Sequence, residues 1–502
     1  MPEPKHILFI PGALWGHLRP VIAISATLLV IHPNLHITIF LPAQFTTVAS
    51  AEFDRYRLPS SARDRLRTPR YGAEKEYLAG FEQIPGLLEE AIGNIRINFP
   101  RIVKGEAIED SVTGEMIPSF EPKISTVYSD YLWNTGMPQV LAELAPAIKN
   151  LVVSPMAPNF IDWYMMDQCD NPRVPDVMAD MAKGVSPHDA FAKNLEQSNQ
   201  VIKVAGCEPM YVYETVGNNT LEPWIEGYAD SRRNVRDLMH GWLVYSPAYL
   251  AQETLANWSV PDKPMYCVGP LLPLEDLNER AQDHDLTIEW LDTAVKEHGE
   301  NSVAYVSFGS LFFVPNATQT PILVSALASR GKPSLISAGN CTTEIGAILD
   351  KTVEEYGRGL IKVVKWAAQQ TVLQNPAVGW FLSHGGQGAV NEAITTGVPM
   401  IFWPNSLDQP FLANQFSRIE KVGIELLQIR TGPAIGKATY RGPVVVGTDD
   451  AFARELKEAI SLMDGEEGQR MRSGMMRIRK QVEQDREEGG RTWEALRRVG
   501  EL

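Results

Sequence analysis

At 502 residues the chain is longer than one hydrophobic core usually grows, so two domains are expected. Its 44% hydrophobic and 21% charged residues are those of an ordinary soluble globular protein, and a formal net charge of -15 opposes nonspecific binding to nucleic acid or an anionic membrane. The four cysteines, Cys169, Cys207, Cys267 and Cys341, are scattered without CxxC spacing, which argues against a disulfide framework or zinc site and for reduced thiols.

The opening MPEPKHILFIPG has no cationic region followed by a long apolar core. No apolar run approaches the roughly 20 residues that span a bilayer, so a cytoplasmic protein without a membrane span is expected. His6 to Ile10 reads as an apolar strand, and the loop from Pro11 to His17 leads into a helix through about Val30, with Pro20 in its first turn. His36 to Leu41 is a second strand, which makes the opening a βαβ unit of the doubly wound type. Such sheets bind ligands at the carboxyl edge, where His17 sits. A lone histidine is more often a helix-capping or exposed imidazole than a functional one.

From Ala51 to about Glu121 the chain is polar and poorly periodic, which predicts surface helices and loops. Ile124 to Tyr128 is a strand ending in Ser129, Asp130 and Tyr131; an aspartate there is usually a turn or cap residue. Leu151 to Ser154 is the next strand. The apolar cluster Phe160, Trp163, Tyr164, Met165 and Met166 that follows suits either a greasy pocket or the packing of a helix. Trp242 to Ser246 is a further strand. Pro261, Pro264, Pro270 and Pro273, followed by a polar acidic run to Asp285, mark residues 261–285 as an interdomain linker.

The second domain starts near Leu286. Ser302 to Gly309 is a clear strand running into Ser310, and strands at Ser334 to Ser337 and Leu360 to Val364 follow. Trp366 to Gln409 then reads WAAQQTVLQNPAVGWFLSHGGQGAVNEAITTGVPMIFWPNSLDQ. In it Ala377 to Ser383 is a buried strand, and Gly388 to Thr396 carries apolar residues at helical spacing. A strand that ends in a glycine-rich turn and opens a helix lets backbone N–H groups approach a phosphate, and the positive helix end favours its charge. Val398 to Trp403 is a further strand, ending at Asp408 and Gln409, two polar residues suited to hydroxyl groups. The tail from Ala451 is helical, with Met471, Met475, Ile478 and Val482 on one face.

This stretch, with WAxQ, VL, VGxFxxHxG, a helix Glu, GVP and a terminal DQ in order, resembles the signature box of the family 1 UDP-dependent glycosyltransferases, soluble fungal- or bacterial-like members included. The resemblance implies the GT-B fold, an α/β architecture of two Rossmann-like, doubly wound parallel-sheet domains facing a cleft. It divides the chain into an acceptor domain (1–260), the linker, a UDP-sugar domain (286–480) and a terminal helix (481–502) crossing back to the first domain.

By the same resemblance Trp366 stacks on uracil, the Ala367 backbone pairs its edge, and Gln369 and Glu392 hold the ribose. His384 and the turn at Gly386, with the backbone of Gly388 and Ala389, bind the diphosphate, which Gly309 and Ser310 approach from the SFGS loop. Asp408 and Gln409 hold the sugar. GHLRP matches the family's GHxxP, whose histidine is the catalytic base, so His17 is assigned to that role and Asp130 to holding it. Trp15, Ser154, Phe160, Trp163 and Met166 are candidates for the acceptor pocket.

Where plant members read HCGWNS this chain has His384 to Ala389 as HGGQGA, which removes a Trp, an Asn and a Ser. The terminal DQ pair favours UDP-glucose as donor substrate. Glucuronate needs a cation for its carboxylate, and neither GGQG nor PNSLDQP supplies one. No metal and no cofactor beyond the donor is implied, nor any partner but donor and a small lipophilic acceptor; the chain is expected to be a monomer and an inverting hexosyltransferase. A UDP-N-acetylglucosamine 2-epimerase has the same architecture but needs no base for an acceptor, and a noncatalytic nucleotide-sugar binder has no use for the His17 and Asp130 pair.

Overall fold

The structure, a computed structural model, describes residues 3–74, 84–165, 174–215, 225–273, 286–309, 317–339, 341–357 and 359–502. Among these, seven strands form a first sheet: β1 (Lys5–Ile10), β2 (Leu35–Ile39), β3 (Leu66–Arg67), β4 (Ile124–Asp130), β5 (Lys149–Ser154), β6 (Trp242–Pro247) and β7 (Met265–Gly269). Their spatial order is β7-β6-β5-β4-β1-β2-β3, all parallel. A second, six-stranded parallel sheet contains β8 (Val303–Ser307), β9 (Ser334–Ser337), β10 (Ile361–Val364), β11 (Val378–Ser383), β12 (Met400–Phe402) and β13 (Gly423–Glu425), in the order β10-β9-β8-β11-β12-β13. Every residue of β6, β8 and β11 is buried, as expected where helices cover both faces and strands read as continuous apolar runs.

The two sheets share a topological logic that places the site. In the first, the chain leaves β1 toward β2 and β3, then returns to add β4 on the other side; in the second, β8 leads to β9 and β10 before β11 returns beside it. Crevices that open at such reversals are where doubly wound sheets bind ligands. The register sets Ile10 beside Ser129 and Ser307 beside Ser383. The loops after β1 and β4 therefore meet, and so do those after β8 and β11.

Four elements differ from expectation. The first helix, α1 (Trp15–Ile31), begins two residues before His17, because Leu14 already accepts the amides of His17 and Leu18; Pro20 consequently lies in the second turn. Within the stretch expected to be surface, α2 (Thr46–Arg55) buries Glu52, and α3 (Ile84–Val103) buries Ala91, Ile95, Phe99 and Ile102. Those four recur at helical spacing, which the interleaved Glu89, Glu90, Arg96 and Arg101 obscure in the sequence. The expected linker 261–285 contains β7, an edge strand paired to β6; its apolar MYCVG is flanked by prolines that suggested a loop, and 274–285 lie outside the described residues.

The tail, finally, turns at residues 487–490 rather than near 481. Its terminal helix (Arg491–Glu501) packs Leu496 and Val499 into the apolar core beneath β1 and α1, and Leu496 O lies 3.2 Å from His32 Nε2. The longer helix before it buries Met471, Met475, Ile478 and Val482. Among the described residues no helix is long and apolar enough to cross a membrane.

Candidate active site

The first turn of α1 holds His17 at the carboxyl end of β1, and β4 ends at Asp130. The two side chains meet at 2.7 Å between His17 Nδ1 and Asp130 Oδ1, with Asp130 fully buried and 11% of the imidazole exposed. Gly12 is what permits the contact: a Cβ there would stand 2.9 Å from Asp130 Oδ1 and 3.2 Å from His17 Cβ. Asp130 Oδ1 also accepts the Leu132 amide at 2.9 Å, which fixes its own turn, and Trp133 Nε1 donates to Pro11 O at 2.8 Å, so the loops after β1 and β4 are tied together once more. A carboxylate can only accept, so Nδ1 carries the proton and Nε2 keeps a free lone pair. That is the state a general base requires.

The second sheet builds an anion cradle. After β11 the chain passes His384, Gly385 and Gly386 and opens a helix (Gln387–Thr396) whose N-terminus no side chain caps, leaving the amides of its first turn, Gly388 and Ala389 among them, available to an anion. The His384 ring lies against the loop after β8: a Cβ on Gly309, whose φ is +77°, would come within 2.6 Å of His384 Cε1. Burial lowers the His384 pKa to about 4. The ring is therefore neutral near pH 7 and able to donate one hydrogen bond without carrying charge. Ser310 lies outside the described residues.

Trp366 follows β10 and is 77% exposed, a large indole presented to solvent beside the cradle's sheet edge. Exposure of this extent rules out a core role for it. Ala367 behind it is buried. Gln369 opens the short helix Gln369–Gln374 and donates through Nε2 to Glu392 Oε2, so the two residues that the resemblance assigns to ribose are already hydrogen-bonded to each other.

The two halves meet directly. Asp408 Oδ2 accepts the amide of Ala157, in the loop after β5, at 3.0 Å, and Gln409 Oε1 accepts the amides of Asn405 and Ser406 at 2.7 and 3.2 Å. Beyond the sugar contacts that the resemblance assigns to Asp408 and Gln409, each holds a loop in place. Burial raises the Asp408 pKa to about 7, against the opposing pull of the Ala157 amide and the nearby His17. His17 on one sheet and Asp408 on the other are thus close enough to act on each other electrostatically.

The acceptor-pocket candidates fare unevenly. Phe160 and Trp163, on the helix Pro158–Met165, are buried and contact Phe411 of the second half, with ring centroids 5.6 and 5.4 Å apart. They serve as interdomain packing, because an aromatic face left uncovered at the junction would remain wet. Ser154 is buried and accepts the Met156 amide at 3.2 Å, capping its own loop. Trp15 is partly exposed in the first turn of α1, 6.2 Å from the Phe45 ring. Met166 lies outside the described residues.

Sequence reading overlooked Arg19, whose guanidinium leaves α1 and reaches Glu392 across the junction. The signal was present: a cation inside GHLRP, at the start of an otherwise apolar helix. Ala157 was also overlooked, and since it acts through its backbone amide no residue type marks it. Among the described residues no cluster of three or more His, Cys, Asp or Glu side chains is arranged to hold a metal ion.

Comparison with known proteins agrees with the fold. The family model described as UDP-glucoronosyl and UDP-glucosyl transferase matches residues 270–427, which include β8 to β13 and the cradle. The chain is 24% identical to the UDP-glycosyltransferase eriJ of Hericium erinaceus, over 91% of this chain and 90% of that one. It is 25% identical to the (R)-mandelonitrile beta-glucosyltransferase of Prunus dulcis, over 99% and 96%. Among solved structures, a ugt transferase from Siraitia grosvenorii in complex with UDP superposes with a TM-score of 0.73 at 19% identity, covering 99% of both chains. The fold is that of the GT-B proteins, two Rossmann-like parallel-sheet halves. Residues 270–427 match the UDP-glycosyltransferase family model, and the chain resembles UDP-glycosyltransferases over nearly its whole length.

Proposed function

We propose that this enzyme transfers glucose from UDP-glucose, with inversion and without a metal, to a hydroxyl of a small lipophilic acceptor such as a phenol, a terpenoid or a hydroxylated lipid. The observation that carries the reading is the buried His17–Asp130 bond, placed where Asp408 of the donor half comes near it. His17 Nε2 takes the proton of the acceptor hydroxyl as its oxygen attacks the anomeric carbon from the face opposite UDP. The new glycosidic bond forms as the bond to the diphosphate oxygen breaks, and the electron pair leaves with UDP. Asp130 stabilises the imidazolium that results, as a buried carboxylate does for other catalytic histidines.

The departing diphosphate meets the uncapped helix N-terminus at Gly388 and Ala389 and the neutral ring of His384, so fixed dipoles receive the developing charge. Trp366 stacks on uracil, the Ala367 backbone pairs the base edge, and Gln369 with Glu392 takes the ribose. Asp408 and Gln409 take the glucose hydroxyls; a hydroxyl donating to Asp408 favours its ionised form and offsets the burial that raises its pKa. We assign residues 1–260 to the acceptor side and 286–480 to the donor side, and place the protein in the cytoplasm as a monomer. The free thiols of Cys207, Cys267 and Cys341 suit a reducing compartment, and the names of the relatives above suit glucose and a small acceptor.

Donor competition with one fixed acceptor, read by mass, tests the sugar: UDP-glucose is expected to outcompete UDP-glucuronate and UDP-N-acetylglucosamine, and a clear preference for either of those overturns the assignment. Release of UDP in the absence of any acceptor hydroxyl, at the rate seen with one, would point to an epimerase instead.

A further inference from the structure

Glu392 is held from both sides. Gln369 donates to its Oε2, and Arg19 Nη1 donates to its Oε1 at 2.5 Å. Gln369 belongs to the donor half, but Arg19 belongs to α1, two residues beyond the base. Arg19 is itself anchored: its Nε donates to Glu52 Oε1 at 3.0 Å and its Nη2 to Gln370 Oε1 at 2.9 Å. Arg55 closes the group, donating to Glu52 Oε2 at 2.8 Å and to Gln370 Oε1 at 2.7 Å, while Gln370 Nε2 donates to Pro273 O at 2.6 Å. Two cations and two carboxylates thus balance across the junction of the domains, with Glu52 and Glu392 each buried.

Such pairing is more than a weld, because of what it leaves open on Glu392. An ionised carboxylate offers about four acceptor positions, two on each oxygen. Arg19 occupies one position on one oxygen and Gln369 one on the other, leaving one on each. Two vicinal hydroxyls, the 2′ and 3′ groups of a ribose, match that remainder in number and spacing. A buried carboxylate without its cation would tend to take up a proton, turning one of its acceptor positions into a donor.

We infer that Arg19 is a positioning residue for the donor's ribose, supplied from the acceptor side, so that recognition of the nucleotide is completed only where the two domains touch. The inference rests on the assignment of Glu392 to ribose made above. It also couples donor and acceptor sites through one helix: the nucleotide that engages Glu392 engages α1 through Arg19, and α1 carries His17. Burial opposes the charge of Arg19, but Glu392 and Glu52 outweigh it and raise its pKa, so the guanidinium is charged at any pH the enzyme meets.

Calorimetry on the full chain, with UDP and 2′,3′-dideoxy-UDP as probes, separates the possibilities. Wild type is expected to prefer UDP by about ten- to a hundredfold, the range for hydrogen bonds to a charged group. Arg19→Met should lose most of that preference by weakening UDP while leaving dideoxy-UDP unchanged, and should raise KM for the donor more than it lowers kcat. Arg19→Lys should recover part of the preference. Glu52→Gln, which leaves Arg19 charged but removes one anchor, should reduce the preference by a smaller factor, and serves if Arg19→Met fails to fold. Equal affinities for the two probes in wild type would overturn the ribose assignment of Glu392 and the inference with it. A preference that survives intact in a cooperatively folded Arg19→Met, or in Glu52→Gln should Arg19→Met not fold, overturns the role of Arg19 alone.

Discussion

The two halves of the cleft are built in opposite ways. On the side proposed for the acceptor, His17 and Asp130 stand 113 residues apart and meet through one side-chain bond whose aspartate is fully buried. On the side proposed for the donor, a single run from Trp366 to Gln409 supplies an exposed indole, an uncapped helix N-terminus and backbone amides. Proton transfer requires one imidazole with a fixed tautomer, so its half must be closed and preassembled. Nucleotide binding requires area and many weak donors, and its half presents an exposed indole and uncapped amides. Rate should therefore belong to the first half and affinity to the second, with Arg19 linking the helix that carries His17 to Glu392.

The largest effect that tests this division is His17→Ala. It should cost about 10²–10⁴ in turnover, the range for a lost general base, while UDP affinity stays near wild type. Wild-type-like turnover on a weakly acidic alcohol would show that another group takes the proton.

Phe411→Ala tests whether the halves are one packed body. It removes the ring that Phe160 and Trp163 meet, and should destabilise the protein by about 3–5 kcal/mol in chemical denaturation. An unchanged midpoint would mean that the junction is held by its polar contacts instead.

Asp408→Asn probes the seam by pH. The native pKa of Asp408, near 7, lies above that of an exposed aspartate, so between about pH 4 and 7 the folded state holds a proton that the unfolded chain releases. Stability from this group is thus greatest in acid and is lost as pH rises through 7. Asparagine has no charge to bury, so the variant should match wild type near pH 4 and exceed it at pH 8 by up to about 4 kcal/mol, yet lose transfer. A stability gap that does not vary with pH would place the carboxylate in a wetter site than its burial indicates.

The smallest expected effect is that of Trp366→Ala. With the indole 77% exposed, the fold and thermal unfolding should be untouched, while UDP should bind more weakly by about 1–3 kcal/mol, the worth of one base stacked on an aromatic ring. Unchanged UDP affinity in calorimetry would remove Trp366 from the nucleotide site and shift the burden to the cradle.

How much of this was legible in the chain follows from the range of the interactions involved. The strands at residues 302–309, 334–337, 360–364 and 377–383 fall within two residues of their observed ends, because a run buried on both faces announces itself by continuous apolar character. The cradle was equally readable, since glycine turn, helix start and indole are neighbours in sequence. The α3 face of Ala91, Ile95, Phe99 and Ile102 was not, because intervening charges hid its period; β7 was hidden by the prolines around it. The sequence by itself determined the two parallel sheets, the base candidate and the nucleotide stretch, all consequences of local pattern and short-range chemistry. Only the tertiary structure decided that Phe160 and Trp163 weld the domains rather than open a pocket, that Asp408 and Gln409 also brace loops, and that Arg19 spans the junction to Glu392. Apart from the local bonds of Gln409, those assignments depend on which surfaces come to face one another across 251 residues of chain for Asp408 and 373 for Arg19, and no local propensity encodes that.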